Sequence, residues 1–188
     1  MPKIYILDNG GQWTHREWRA LRYIGADAKI IPNTTPFEDA ADGEGFLFSG
    51  GAPRIGSEAM KLGRTGEYIE KASAPLLGIC VGCQFIAVHF GGEAGPAEVP
   101  EYGSTTVTVE KAEGILSGIP TTFLAWESHN DEIKVLPDVF EVLAGSQNCR
   151  YQAIAHKSKP IFGLQYHPEV EHTECGSEML KNFIDMCR

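Results

Sequence analysis

Over its first 90 residues the sequence alternates short apolar runs with amphipathic stretches, separated by glycine-rich turns. That rhythm restricts the chain to helices layered on a largely parallel sheet. Residues 3–7 form the first strand, followed by the turn Asp8-Asn9-Gly10-Gly11-Gln12 and a helical pattern from about residue 13 to 24 that Gly25 stops. Residues 28–31, 45–49 and 75–79 read as further strands, the last two ending in small residues that permit sharp turns. A helical pattern covers 84–90. After Gly91-Gly92 the character changes, and strands at 104–109, 123–125, 140–144, 153–156 and 161–165 lie close in sequence, so some should be antiparallel. A last helix carries Met179, Leu180, Phe183, Ile184 and Cys187 on one face. The predicted fold is α/β, with a mostly parallel central sheet flanked by helices and additional antiparallel strands. Without a linker or repeat, residues 1–188 should form a single domain.

Composition narrows the function. At 188 residues with 43% apolar side chains, the chain can bury a full core, which excludes disorder and collagen-like structure. A formal charge of −9 disfavours a nucleic-acid partner held through phosphates. No apolar run reaches the about 20 residues of a membrane helix, and the N-terminus lacks a signal peptide's apolar region, so the expected location is cytoplasmic with no membrane partner. The five cysteines are odd in number and scattered, as reduced thiols would be.

The most informative segment is Gly78-Ile79-Cys80-Val81-Gly82-Cys83-Gln84, between an apolar strand and a helical pattern. A nucleophile elbow has this layout, with small residues two positions either side of the exposed side chain because the backbones crowd there. Cys80 would sit at a helix N-terminus, where free amides and the dipole favour the attacking thiolate. An inert buried thiol, a Cys80/Cys83 redox pair and a zinc pair are the alternatives. Zinc lacks an obvious four-ligand set, and no metal site is predicted.

A nucleophilic thiol needs a base. Among six histidines, His167 follows an apolar strand and opens His167-Pro168-Glu169. In an extended segment positions i and i+2 face one side, so Glu169 can bind one ring nitrogen while the other faces the thiol. A Cys80, His167, Glu169 triad is the prediction, against a plain surface turn. Oxyanion donors would be the backbone amides of Val81 and of Gly51 in Ser49-Gly50-Gly51-Ala52-Pro53. That loop lacks the Lys-Ser/Thr of a Walker motif. Gln84, one helical turn from Cys80, is placed to reach a substrate bound there.

Together these residues resemble the class I glutamine amidotransferases, whose signature is a Gly-x-Cys-x-Gly-x-Gln elbow followed distally by His-Pro-Glu. The resemblance covers essentially the whole chain and implies a flavodoxin-like fold with glutamine as substrate. Asp8-Asn9-Gly10-Gly11-Gln12, Glu101-Tyr102-Gly103, Trp126-x-Ser128-His129-x-Asp131 and Glu171-His172-Thr173, with Gly176 and Asn182-Phe183, resemble the glutaminase part of GMP synthases. Asn9 and Gly11 are similar to the form in which glutaminase and synthetase are separate polypeptides. The resemblance implies a γ-glutamyl thioester on Cys80 and delivery of ammonia to a separate ATP pyrophosphatase subunit that converts XMP to GMP. It implies backbone contacts to glutamine from Ser128 and His129, and for Asp131 either substrate binding or a partner interface. No cofactor is expected in this chain, ATP and magnesium belonging to the partner.

Three positions depart from the family pattern. Cys83 stands where His, Met or a larger residue is usual and invites oxidative pairing with Cys80, Asn130 replaces Gly or Lys, and Ala52 lengthens the usual Ser-Gly-Gly-Pro. Other acceptors (anthranilate, aminodeoxychorismate or carbamoyl phosphate synthesis), γ-glutamyl peptide hydrolysis and a non-catalytic module remain as alternatives.

Overall fold

The computed structural model describes residues 1–187; residue 188 lies outside the described residues. Its strands are β1 (Lys3–Asp8), β2 (Asp27–Pro32), β3 (Gly45–Phe48), β4 (Leu76–Ile79), β5 (Glu93–Val109), β6 (Thr122–Val135), β7 (Phe140–Ser146), β8 (Ala153–His156) and β9 (Ile161–Leu164). The helices are α1 (Thr14–Ile24), α2 (Ile55–Glu58), α3 (Thr65–Lys71), α4 (Val81–His89) and α5 (Gly176–Met186). All nine strands join one sheet in the order β2-β1-β3-β4-β9-β8-β7-β5-β6. The pairs among β2, β1, β3, β4 and β9 are parallel, and those from β9 through β8, β7 and β5 to β6 are antiparallel. The sheet therefore has the predicted α/β character, with its parallel half assembled from both ends of the chain.

β1, β3, β4 and β9 are buried on both faces along their apolar runs, whereas β2, at the sheet edge, alternates exposed and buried positions. On one face Leu21 of α1 packs with Met179, Leu180, Phe183 and Ile184 of α5; on the other, Tyr68 and Ile69 of α3 pack with Cys83, Ile86 and Ala87 of α4. Gly25, at φ 109°, ends α1 by donating its N–H to Arg22 O and Leu21 O, a left-handed position that glycine adopts without steric cost.

The strand order reverses at β1, because α1 leads to β2 on one side while the next strand, β3, pairs on the other. Such a switch point leaves a crevice beyond the strands' C-terminal ends. The loops after β1, β3, β4 and β9 converge there.

Two sequence expectations are enlarged. β5 and β6 form a long hairpin, where the sequence pattern predicts strand only at 104–109 and 123–125. The acidic stretch 127–132 is thus an inward-turning strand. Short helices between residues 55 and 71 have no counterpart in the sequence pattern.

Candidate active site

Cys80 is the one residue between β4 and α4. Its backbone has φ 51° and ψ −109°, a conformation costly to any residue with a Cβ and sustained only by its surroundings. Glycine permits the bend: a Cβ at Gly78 would lie 2.5 Å from the Gly82 carbonyl, and one at Gly82 would collide with Phe48 O. Cys80 N–H donates to Leu164 O at 2.8 Å, and Gln84 N–H returns to Cys80 O at 3.1 Å. The side chain turns into a crevice cavity of about 430 Å³, within the size range of small-molecule sites.

Because β9 is the parallel neighbour of β4, the chain leaving Leu164 passes beside Cys80 and brings His167 into the same cavity. His167 N–H donates to Trp126 O (3.0 Å), and the Thr173 hydroxyl donates to His167 O (2.7 Å). Its Nδ1 lies 2.7 Å from Glu169 Oε1. The extended segment expected for this contact is instead a turn, in which Val170 N–H reaches His167 O at 3.3 Å, so residues 167 and 169 meet by chain reversal. The edge of Trp13 covers the ring, with centroids 4.5 Å apart and an interplanar angle of 75°. Burial pulls the His167 pKa down, but the charge of Glu169 and the nearby Cys80 sulfur lift it well above the usual histidine range. Its buried Nε2 makes no hydrogen bond among the described residues.

The loops after β1 and β3 run against each other too closely for side chains. A Cβ on Gly11 would collide with Gly50 O, and one on Gly51 with Asn9 O. Asn9 clasps the pair, its N–H donating to Ser49 Oγ (2.9 Å) and its Nδ2 to Ser49 O (3.0 Å). Gly50 stands beside the reactive groups, since a Cβ there would be 3.1 Å from His167 Cε1 and 3.7 Å from Cys80 Cβ. Gly50 N–H is engaged by Glu17 Oε1 at 3.2 Å, which leaves Gly51 as the loop's next amide. Val81 opens α4, where first-turn amides have no partner within the helix. Both residues line the cavity, as does Ala52.

Gln84, Ser128, His129 and Asp131 also border the cavity, in different ways. Gln84 Nε2 donates to Asp131 O (2.8 Å) and to Gln165 Oε1 (3.1 Å), so its amide hydrogens are spent and only Oε1 is left for a ligand. His129 is buried between two acids, its Nε2 lying 3.0 Å from Glu101 Oε2 and 3.3 Å from Glu127 Oε2, while Nδ1 faces Asp131 O at 3.0 Å. Burial lowers its pKa, but the two carboxylates outweigh that and raise it to about 10. The side chain is thus an internal cation, and its backbone is what remains for a substrate. Asp131 pairs with Arg54 across the cavity mouth at 3.2 Å.

Two residues at this site escape a reading of the sequence. Gln165 donates from Nε2 to Cys80 Sγ at 3.6 Å, linking the sulfur through Gln84 to β6. Glu17, 1% exposed, holds the Gly50 amide. The signal for Glu17 is its spacing, because Thr14, Glu17 and Leu21 occupy the buried stripe of α1.

Among the described residues, one grouping with metal-ligand chemistry, Glu101, His129 and Cys149, has its ligand atoms within 4.8 Å of one another. His129 Nε2 is already paired with the two carboxylates, and burial pushes the Cys149 thiol up, away from the thiolate that metals bind. Cys83 turns away from the cavity into the opposite apolar layer, where its sulfur occupies the space a Cβ on Gly163 would need (2.5 Å). Burial raises its thiol far above the usual range, which disfavours the oxidative pairing its spacing invited.

A strained cysteine on a strand-to-helix bend shares one cavity with a carboxylate-bound histidine, an arrangement suited to acyl transfer, and the model for glutamine amidotransferase class-I matches residues 5–187. The chain belongs to that family. It is 51% identical over 187 residues to a glutamine-hydrolyzing GMP synthase subunit of Thermoplasma acidophilum, covering 100% of this chain and 94% of that one. The subunit of the same name from Methanocaldococcus jannaschii is 47% identical over 187 residues, with 98% and 97% coverage. A crystal structure of a GMP synthase subunit from T. acidophilum superimposes with a TM-score of 0.95 over 100% of this chain and 94% of that chain.

Proposed function

We propose that this chain hydrolyses glutamine to glutamate and ammonia and supplies the ammonia to a separate, cytoplasmic ATP pyrophosphatase subunit that converts XMP to GMP. The observation that carries the reading is the meeting of Cys80, at its positive φ, with the His167–Glu169 pair in one cavity. Cys80 Sγ attacks the side-chain amide carbon of glutamine. Gly51 and Val81 amides receive the developing oxyanion. The raised proton affinity of His167 supports its role as the acid: it gives its proton to the departing nitrogen as the C–N bond breaks, leaving a γ-glutamyl thioester. His167 then removes a proton from water, whose oxygen attacks the thioester, and the sulfur leaves as glutamate forms. Glu169 fixes the ring throughout by accepting from Nδ1.

Gln84 Oε1 would accept from the substrate's ammonium end, and Ser128 and His129 would contribute backbone contacts. Asp131, at the cavity mouth beside Arg54, is assigned to the partner interface. This chain would need no cofactor, since ATP and magnesium serve the partner's chemistry. The relatives' shared name supports the choice of acceptor over anthranilate, aminodeoxychorismate or carbamoyl phosphate synthesis. The test pairs two assays: glutamine hydrolysis, and recovery of the partner by affinity capture with transfer of glutamine's amide nitrogen to XMP. Capture of a synthetase for another acceptor would overturn the choice of acceptor.

A further inference from the structure

We propose that Glu17 is a positioning residue that stays un-ionised and ties the loop after β3 to the Glu169 carboxylate, so that oxyanion donors and base are held by one side chain. The inference rests on the glutaminase reading and adds a residue outside the Cys-His-Glu triad.

Glu17 is 1% exposed, on the stripe of α1 that faces the sheet. Its Oε1 accepts the Gly50 N–H at 3.2 Å, and Gly50 borders both His167 and Cys80. Its Oε2 is buried with no hydrogen-bond partner among the described residues, and Oε2 of Glu169 is in the same condition. Two buried carboxylate oxygens without a donor are costly. A single proton on Glu17 resolves both, with Oε2–H donating to Glu169 Oε2 while Glu169 Oε1 keeps the His167 ring.

The titratable groups acting on Glu17 support this state. Burial and the Glu169 charge raise its pKa well above the usual carboxyl value, Asp8 at the end of β1 adds to the shift, and the Gly50 N–H and His167 oppose it. A neutral Glu17 leaves Glu169 as the carboxylate bonded to the His167 ring. Its consequence is geometric: with both oxygens of Glu169 occupied, the carboxylate cannot rotate away from Nδ1, and the Gly50–Gly51 turn cannot drift from Cys80.

The experiment compares Glu17→Gln and Glu17→Leu in the complex with the synthetase, and follows alkylation of Cys80 by a diazoketone analogue of glutamine. Glutamine's amide keeps an acceptor for Gly50 and a donor for Glu169, so Glu17→Gln should retain kcat within about threefold and an unchanged pH profile of labelling. Glu17→Leu loses both bonds and should lower kcat by on the order of 10-fold to 100-fold with a smaller change in KM. Circular dichroism and melting establish that each variant is folded. A folded Leu variant with wild-type kcat overturns the proposal. So does a Gln variant whose labelling profile moves to lower pH, since that is the loss of a charged Glu17 beside His167. Should wild type itself neither hydrolyse glutamine nor label at Cys80, the glutaminase reading fails instead.

Discussion

At the scale of single residues, the site is bought with backbone strain. Cys80 holds φ 51° because Gly78 and Gly82 leave no side chains where the strand and helix cross. Removing the sulfur should therefore separate function from stability. Cys80→Ala keeps the strain and loses the nucleophile, so glutamine turnover should fall by about 10⁴-fold or more in a protein that melts like wild type. Cys80→Gly loses the nucleophile and also relieves the strain, and urea titration should find it about 1 kcal/mol more stable than Cys80→Ala. Gly82→Ala should act oppositely, losing about 1–3 kcal/mol as its methyl meets Phe48 O. The elbow is legible in the sequence because two crowded backbones leave glycine as the residue that fits. Gln165 and Glu17 are not, because an isolated polar residue in an apolar strand or helix face carries no sign of the partner it will find. The Glu17 spacing on α1 is there to be read, but only the sheet shows what it faces.

At the scale of elements, the β5–β6 hairpin stores three charged groups in the protein interior. Glu101 and Glu127 flank His129, and an imidazolium between two carboxylates is what makes this burial tolerable. His129→Leu leaves the acids facing one another and should cost about 3–5 kcal/mol at neutral pH, read as a fall in urea midpoint. The pH dependence has a definite sign. The folded His129 pKa of about 10 lies above the ordinary 6.5, so its stabilisation is complete below 6.5 and is lost as pH rises toward 10. The upward shift of Glu127, caused by burial, has the same sign and acts at lower pH. The difference in stability between wild type and His129→Leu should shrink between pH 7 and pH 10; a constant difference would contradict the ion-pair account. This hairpin is also where the sequence is least legible. Gly95, Pro96, Pro100 and Gly103 read as turn residues, yet β5 absorbs them with a register shift between Pro96 and Glu101. Glu127 to Glu132 looks like a solvated loop because sequence alone does not reveal that His129 neutralises its neighbours. The inner parallel strands β1, β3, β4 and β9, buried on both faces, are plain from their apolar runs.

At the scale of the whole molecule, the crevice exists because strands from the two ends of the chain lie side by side, β4 leading into Cys80, the proposed nucleophile, and β9 toward His167, the proposed base. An Arg54–Asp131 pair stands at the mouth of the site, so productive alignment should depend on what docks there. Glutamine turnover by the isolated chain should accordingly be slow and rise by at least about 10-fold when the synthetase and its nucleotides are added. Equal rates in the two conditions would rule out control by the partner. The most direct test of the central claim is mass analysis of the complex quenched in acid during glutamine turnover. The account predicts one γ-glutamyl group on the peptide bearing Cys80, absent from Cys80→Ala; hydrolysis that persists in that variant, or an adduct on another cysteine, would contradict it.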